Sequence, residues 1–319
     1  MPGLRTIQIA LTTLAIVVLA WLVDWRAFAA AVVGADPALL IMTLVLLIGQ
    51  RFLMAGKWAH LMRVHGVRLG LLDSWGVYSA GALAGAVLPA SAGGDAVRVA
   101  WLWRRGIDAH QSAASVVIEK VLGALVGLGF AAVGIVILSH DVAAARDLGR
   151  WLPVVLGAGV LVAAGLLAVL FYDPTWLRRL PFGARVSGLV DRFRAALRRY
   201  GRHPGVLLVF LGLTVLENLW TFLVTWVSAL ALGIDVSPLH IAAAIAVTFV
   251  ITRLPISIDG IGVMEGTLAL VLGLLGVPAA QSVALAVIGR VLVILSNLPG
   301  AAYAALRPDL RLGAPDPSA

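Results

Sequence analysis

The sequence predicts an all-α fold: a polytopic integral membrane helix bundle made of two inverted repeats, each with a broken re-entrant helical hairpin. Three observations predict it. The 319 residues are 61% hydrophobic and only 13% charged, with a mean hydropathy of +1.01, whereas soluble proteins carry roughly 45–50% apolar and about 25% charged residues. Several apolar runs reach the ~20 residues that a bilayer core demands. Two stretches, "LPASAGGDAVR" (Leu88 to Arg98) and "LPISIDGIGVME" (Leu254 to Glu265), interrupt apolar sequence with Pro, Gly and charge.

The apolar runs fall at about 7–23, 38–56, 72–88, 115–138, 152–172, 206–232, 240–256, 263–275 and 283–306. The first is longer than the apolar core of a signal peptide and is expected to be a retained span. Lys and Arg mark the cytoplasmic side. Eight arginines crowd 173–204, and Lys57, Arg63, Arg68, Arg104 and Arg105 flank 72–88. One threading satisfies all these loops. Both termini lie in the cytoplasm, six runs cross fully, and 72–104 and 240–275 enter and leave on one side each. The organisation is then one membrane domain over 1–319: an extra span in 1–37, repeat 1 in 38–138, a connecting span and basic loop in 139–205, repeat 2 in 206–306, and a tail in 307–319.

Within the basic loop, Phe182, Val186, Leu189, Val190, Phe193, Leu197 and Tyr200 recur at helical spacing opposite arginines. An interfacial helix on anionic headgroups and plain positive-inside signalling both fit this pattern. The net charge of +8 sits in these loops and points away from nucleic acid.

The repeat is visible in the residues. "GIDAHQSAASVVIEKVL" at 106–122 aligns without gaps to "GVPAAQSVALAVIGRVL" at 276–292, with nine of 17 positions identical and Lys120 opposite Arg290. Upstream, Pro89 and Ser91 fall opposite Pro255 and Ser257, and Gly66-Val67 opposite Gly233-Ile234. Inverted repeats with broken helices are the architecture of secondary transporters, whose substrate site lies where the repeats meet.

In each break, Pro ends the incoming half-helix and glycines let the chain turn back or approach a ligand. New half-helices are expected to start near Gly94 and Ile261. Ser91, Ser257, Asp95 or Asp259 would cap them, and their free N–H groups, with Gly93, Gly94, Gly260 and Gly262, would suit a phosphate. Gly81 and Gly85 read as close helix packing.

Glu119, Lys120, Glu217, Arg253, Glu265 and Arg290 lie in or beside apolar segments. Each such charge costs ~2.5–3.5 kcal/mol at a helix centre, so they require partners or a wet cavity. The expected pairs are Glu119 with Arg290 or Arg98, and Glu265 with Arg253. For Arg98, Lys120 and Arg290 the repeat favours ligand contact; for Arg253 and Glu217, helix locking is an equal alternative. Cysteine is absent, the six His are scattered, and no Asp-rich, nucleophile-elbow or nucleotide-binding motif occurs. No metal or cofactor is expected.

The "LPASAGGDAVR" break, the "VIEKVLG" helix and the "RLPISIDGIGVMEG" break resemble the flippase-like transmembrane domain of the lysylphosphatidylglycerol synthase family, over essentially the whole chain. The resemblance implies a two-repeat bundle that moves lipids between leaflets of a bacterial-type inner membrane. In the family, charged residues in and after the breaks line the lipid path; here those would be Arg98, Glu119, Asp259, Glu265 and Arg290. Asp259 stands where the first break has Gly93, a departure from strict symmetry.

Full-length synthases carry a soluble aminoacyl-transferase domain after the membrane part. This sequence runs only to Ala319, so a non-enzymatic, stand-alone member is expected. The expected function is translocation of an anionic or phosphate-bearing lipid, such as an anionic phospholipid or a polyprenyl-phosphate lipid. A scaffold for a lipid-synthesis enzyme and an intramembrane lipid-modifying enzyme are the alternatives. The sequence carries no sign of oligomeric state.

Overall fold

The structure, a computed structural model, describes residues 13, 21, 23–87, 93–171, 183–252 and 262–307. These fold into eleven α-helices, with two 3₁₀ segments and, among the described residues, no strand. The order is α1 (Trp25–Val33), α2 (Pro37–Met62), α3 (Leu71–Val87), α4 (Gly93–Arg104), α5 (Ala109–Asp141), α6 (Leu152–Phe171), α7 (Gly183–Gly201), α8 (Pro204–Ala231), α9 (Pro238–Thr252), α10 (Val263–Leu274) and α11 (Ala279–Leu306).

Helix starts follow the local chemistry. Asp24 caps α1, accepting from the amides of Arg26 and Ala27 at 2.9 and 3.1 Å. Asp36 caps α2, accepting from Ala38 at 2.8 Å and Leu39 at 3.3 Å, with Pro37 in the first turn, where its missing N–H costs nothing.

Five segments are long and apolar enough to cross a membrane: Pro37–His65, Ala109–Asp141, Ala143–Gly165, Pro204–Ala231 and Ala279–Leu306. Their outer faces carry exposed Ile41, Val45, Val160, Leu161, Leu208 and Leu219, as a bundle solvated by lipid requires. The protein is an integral membrane protein. The expected sixth crossing, 7–23, lies outside the described residues apart from positions 13, 21 and 23. By contrast α3, α4, α9 and α10 have 17, 12, 15 and 12 residues. At 1.5 Å per residue each is about 18–25 Å long, short of a ~30 Å hydrocarbon core.

Two quartets, α2–α5 and α8–α11, follow the same order of long, short, short, long. Their turns also coincide. Gly66 and Gly233 end α2 and α8 at φ of 78° and 67°; Gly106 and Gly276 end α4 and α10 at 75° and 81°. Each turn closes with a bond back to the carbonyl five residues earlier: Val67 to Met62, Ile234 to Ala229, Ile107 to Leu102 and Val277 to Leu272. Left-handed backbone of this kind favours glycine, and such C-terminal motifs satisfy carbonyls that the helix leaves open. At the start of α5 and α11, Ser112 and Ser282 each bond a hydroxyl to the carbonyl four residues back, both at 3.3 Å.

The quartets interlock by exchanging partners. The most extensive packing is α2 on α8, followed by α3 on α11 and α9 on α5. The largest apolar core lies around α9, where Ile241, Ala244 and Ile245 meet Leu138 of α5, Leu268 and Leu272 of α10 and Ala284 of α11.

Helix α7 corrects one sequence expectation. Its residues Ala196, Leu197 and Tyr200 are buried against Leu61 and Val64, Ala114 and Ile118 of α5, and Phe210 of α8. In its described part, Phe193, Leu197 and Tyr200, the amphipathic stripe packs on protein, while Arg192, Arg198 and Arg199 remain on the exposed side.

Candidate functional site

Two groups of interior ion pairs stand out among the described residues. The first and larger lies where α2, α3, α4, α5 and α8 meet. Arg98 of α4, 4% exposed, is its hub. One terminal nitrogen reaches Glu119 Oε2 at 2.7 Å and the other Asp95 Oδ1 at 2.5 Å. The guanidinium lies over the rings of Tyr78 and Trp58, at 4.7 and 5.4 Å from their centroids. Tyr78 donates its hydroxyl to Glu119 Oε1 at 3.3 Å. Asp95 also holds Lys120 of α5, Nζ to Oδ2 at 3.0 Å. Charge-assisted and cation–π contacts of this density satisfy an ion that the membrane would otherwise reject.

Lys57 of α2, 3% exposed, forms an ion pair with Glu217 of α8 and lies over the Phe210 ring, 4.8 Å from its centroid. Beside it, Gln50 donates to Thr221 Oγ1 at 2.6 Å. Glu217 is 13 residues from the start of α8 and 14 from its end, so this seam lies at mid-length of the most extensive helix pair.

The second place is the α10–α11 crossing. Glu265 accepts from Arg290 Nε at 3.2 Å and from the Gly262 amide at 2.7 Å. The N-terminal turn of α10 is thus capped by its own glutamate, a favourable charge at a helix start. This corrects the expectation that Gly262 offers a free N–H to a phosphate, because Glu265 already occupies it. Arg253, the expected partner of Glu265, lies outside the described residues; among those described, Glu265 pairs with Arg290. For Glu119 the partner is Arg98, the nearer in sequence of the two expected.

Gly94 is likewise used for packing. A Cβ there would stand 2.6 Å from the Gly81 carbonyl oxygen, and one on Gly85 would stand 3.2 Å from the Gly94 amide. These three glycines let α3 and α4 cross at backbone contact. Asp95, expected as a cap, turns instead to Arg98 and Lys120. Gly93 is buried at the first position of α4. Ser91, Arg253, Ser257, Asp259 and Gly260 lie outside the described residues.

Sequence reasoning missed four participants. Tyr78 and Gln50 carried no signal beyond lying in apolar runs. Lys57 was read as the flank of a span ending at 56, but α2 continues to Met62 and buries it. Arg51, at the middle of α2, is 8% exposed; its position inside an apolar run was the available signal. Among the described residues no three His, Asp or Glu side chains gather as metal ligands.

Outside the cluster, the N-cap of α5 is also charged. Asp108 accepts from the His110 amide at 2.6 Å and pairs with its ring at 2.8 Å. The backbone bond, then the side-chain bond, hold its carboxyl below the usual range. A hollow of about 380 Å³ opens beside it, lined by Trp103, Gly106, Ile107, Asp108, Ala109 and His110, away from the ion pairs.

Residues 6–300 match the family described as the lysylphosphatidylglycerol synthase TM region. The chain belongs to that family. No curated protein matches it. Membership of a lysylphosphatidylglycerol synthase TM family agrees with a membrane-embedded, lipid-related role, and the interior charges described above lie within the matched span.

Proposed function

We propose that the chain moves a phosphate-bearing lipid from one leaflet to the other and leaves it chemically unchanged. In this reading the two quartets are inverted copies. The short pairs α3–α4 and α9–α10 dip into the membrane from opposite sides and return, and the headgroup passes between the quartets while the acyl chains stay in the bilayer. The arginines of 173–204 support a reading with that loop and both termini in the cytoplasm of a bacterial-type inner membrane, where a lipid-synthesis enzyme would supply the substrate.

The observation that carries the reading is a pair of matched crossings. Helices α4 and α10 are both 12 residues long, and they begin and end 170 positions apart. At that offset Asp95 corresponds to Glu265 and Lys120 to Arg290, and both pairs are closed, at 3.0 and 3.2 Å. Two equivalent ion pairs in quartets that exchange partners are what alternating exposure needs: a cation on each side, held by an acid until a headgroup phosphate replaces it.

The test is reconstitution into liposomes carrying a trace of headgroup-labelled phosphatidylglycerol. The measurement is the loss of inner-leaflet protection from a membrane-impermeant quencher. The parent is expected to expose nearly all the label, and Arg290→Ala to slow that exposure at least tenfold. If neither phosphatidylglycerol nor a polyprenyl-phosphate probe moves faster than in empty liposomes, translocation is wrong. A change in lipid mass would favour an enzyme.

A further inference from the structure

The ion pairing at this junction leaves one buried cation over. At the α2–α3–α4–α5–α8 junction three buried cations, Arg51, Lys57 and Arg98, and the exposed Lys120 face three acids, Asp95, Glu119 and Glu217. The pairing accounts for three of the four cations. Lys57 holds Glu217, Arg98 holds Glu119 and shares Asp95, and Lys120 takes the other oxygen of Asp95. Arg51 remains.

Arg51 is 8% exposed, and among the described residues no carboxylate lies within ion-pair distance of it. One terminal nitrogen contacts the Met54 sulfur at 3.3 Å, a weak acceptor, and its buried Nε has no partner among the described residues. The groups whose fields act on it are Tyr78 and Glu217, and Glu217 is already engaged by Lys57. Arg51 is 14 residues from the start of α2 and 11 from its end, roughly 21 and 17 Å of helix. It therefore sits near mid-membrane, next to the Lys57–Glu217 seam.

A buried guanidinium without an anion is expensive, and nothing in the packing of α2 requires one. A planar fork of donors in that state fits one ligand chemistry well: a phosphodiester oxygen pair, taken in bidentate fashion. One phosphodiester carries one negative charge, enough to pair one guanidinium.

We propose that Arg51 is the headgroup receptor: it binds the phosphodiester of the transported lipid at the centre of the membrane, and that anion supplies the partner the guanidinium lacks. The inference rests on the translocase reading for its substrate, but its binding step can be measured without transport. Arg98, caged by two carboxylates and two rings, acts as a positioning residue that keeps Asp95 and Glu119 turned away from Arg51.

The experiment is a titration of the full chain in neutral detergent, followed by tryptophan fluorescence. Trp75, stacked on the adjacent Phe52 at 4.3 Å between ring centroids, serves as reporter. Ligands are short-chain phosphatidylglycerol, short-chain diacylglycerol and inorganic phosphate, run on the parent, Arg51→Gln and Arg51→Lys. The expected result is saturable binding of phosphatidylglycerol by the parent, at least tenfold weaker in Arg51→Gln and intermediate in Arg51→Lys, with no response to diacylglycerol. Arg51→Gln is also expected to melt no lower than the parent without lipid, because the charge it removes has no partner.

Parent-like affinity in Arg51→Gln overturns the inference, as does equal binding of diacylglycerol or no saturable response from the parent. Inorganic phosphate binding as tightly as the lipid overturns the lipid assignment. If Arg51→Gln loses binding while the parent moves no lipid in liposomes, the receptor stands and the translocase reading falls.

Discussion

The two short-helix crossings share a frame and differ in filling. In both, an acid in the first turn of the short helix meets a cation on the long one: Asp95 with Lys120, Glu265 with Arg290. One turn further along, the first crossing places Arg98 against Glu119. At the same offset the second has Leu268 and Gly289, of which Leu268 is 1% exposed in the apolar core. One architecture therefore accepts either a caged ion pair or a leucine at this point. Since the apolar solution closes the second crossing, the ion pair of the first is not required by the fold.

Breaking the first pair on one side has the largest expected effect. Glu119→Ala leaves Arg98 buried with Asp95 as its remaining carboxylate, and loss of one partner of a buried pair costs about 3–5 kcal/mol. The double variant Arg98→Leu/Glu119→Ala, which imitates the second crossing, should recover most of that loss. Thermal unfolding of the three purified proteins decides it: a double variant less stable than Glu119→Ala would mean that the pair is structural. Lipid movement by the double variant is expected to stay lost.

Glycines sharpen the comparison next. Gly94→Ala should lower stability by roughly 1–3 kcal/mol, because its Cβ would press on the Gly81 carbonyl. Gly289→Ala should raise it by about 0.5–1 kcal/mol, since nothing lies within 4 Å and alanine is the better helix former. Opposite signs in one melting series are the expected outcome.

The smallest effect is at the α5 cap, where Asp108 stands against Pro278 in the second quartet. Asp108→Ala should cost about 0.5–1 kcal/mol at pH 7. The folded state holds the carboxyl below its unfolded value, so this stability is present above about pH 4 and fades as pH falls through the lowered folded value. The parent and variant melting curves should therefore converge as pH is lowered to that range.

Much of this was legible from residue types alone. The Gly66/Gly233 turns and the Gln-Ser helix starts follow from local chemistry, and Arg98 was one of the two partners expected for Glu119. The matched ion pairs were hidden by an offset: Pro89 and Pro255 are 166 positions apart, while the helices that follow are 170 apart. Those four residues, about one helical turn, moved Asp95 out of register with Glu265. Lys57 and Arg51 were hidden for another reason. Hydropathy treats a charge as the end of a span or as noise within one, whereas here Glu217, 160 residues away, decides that Lys57 belongs inside.

The four left-handed corners at Gly66, Gly106, Gly233 and Gly276 have a consequence for how such a chain can change over generations. Nothing stands within 4 Å of a side chain added at any of them, so space does not forbid replacement; backbone angle does. Mutation can exchange a caged arginine for a leucine inside a crossing and keep the protein. It cannot as cheaply alter the bends that bring the crossings together. The halves are free to diverge at their crossings while their corners stay glycine.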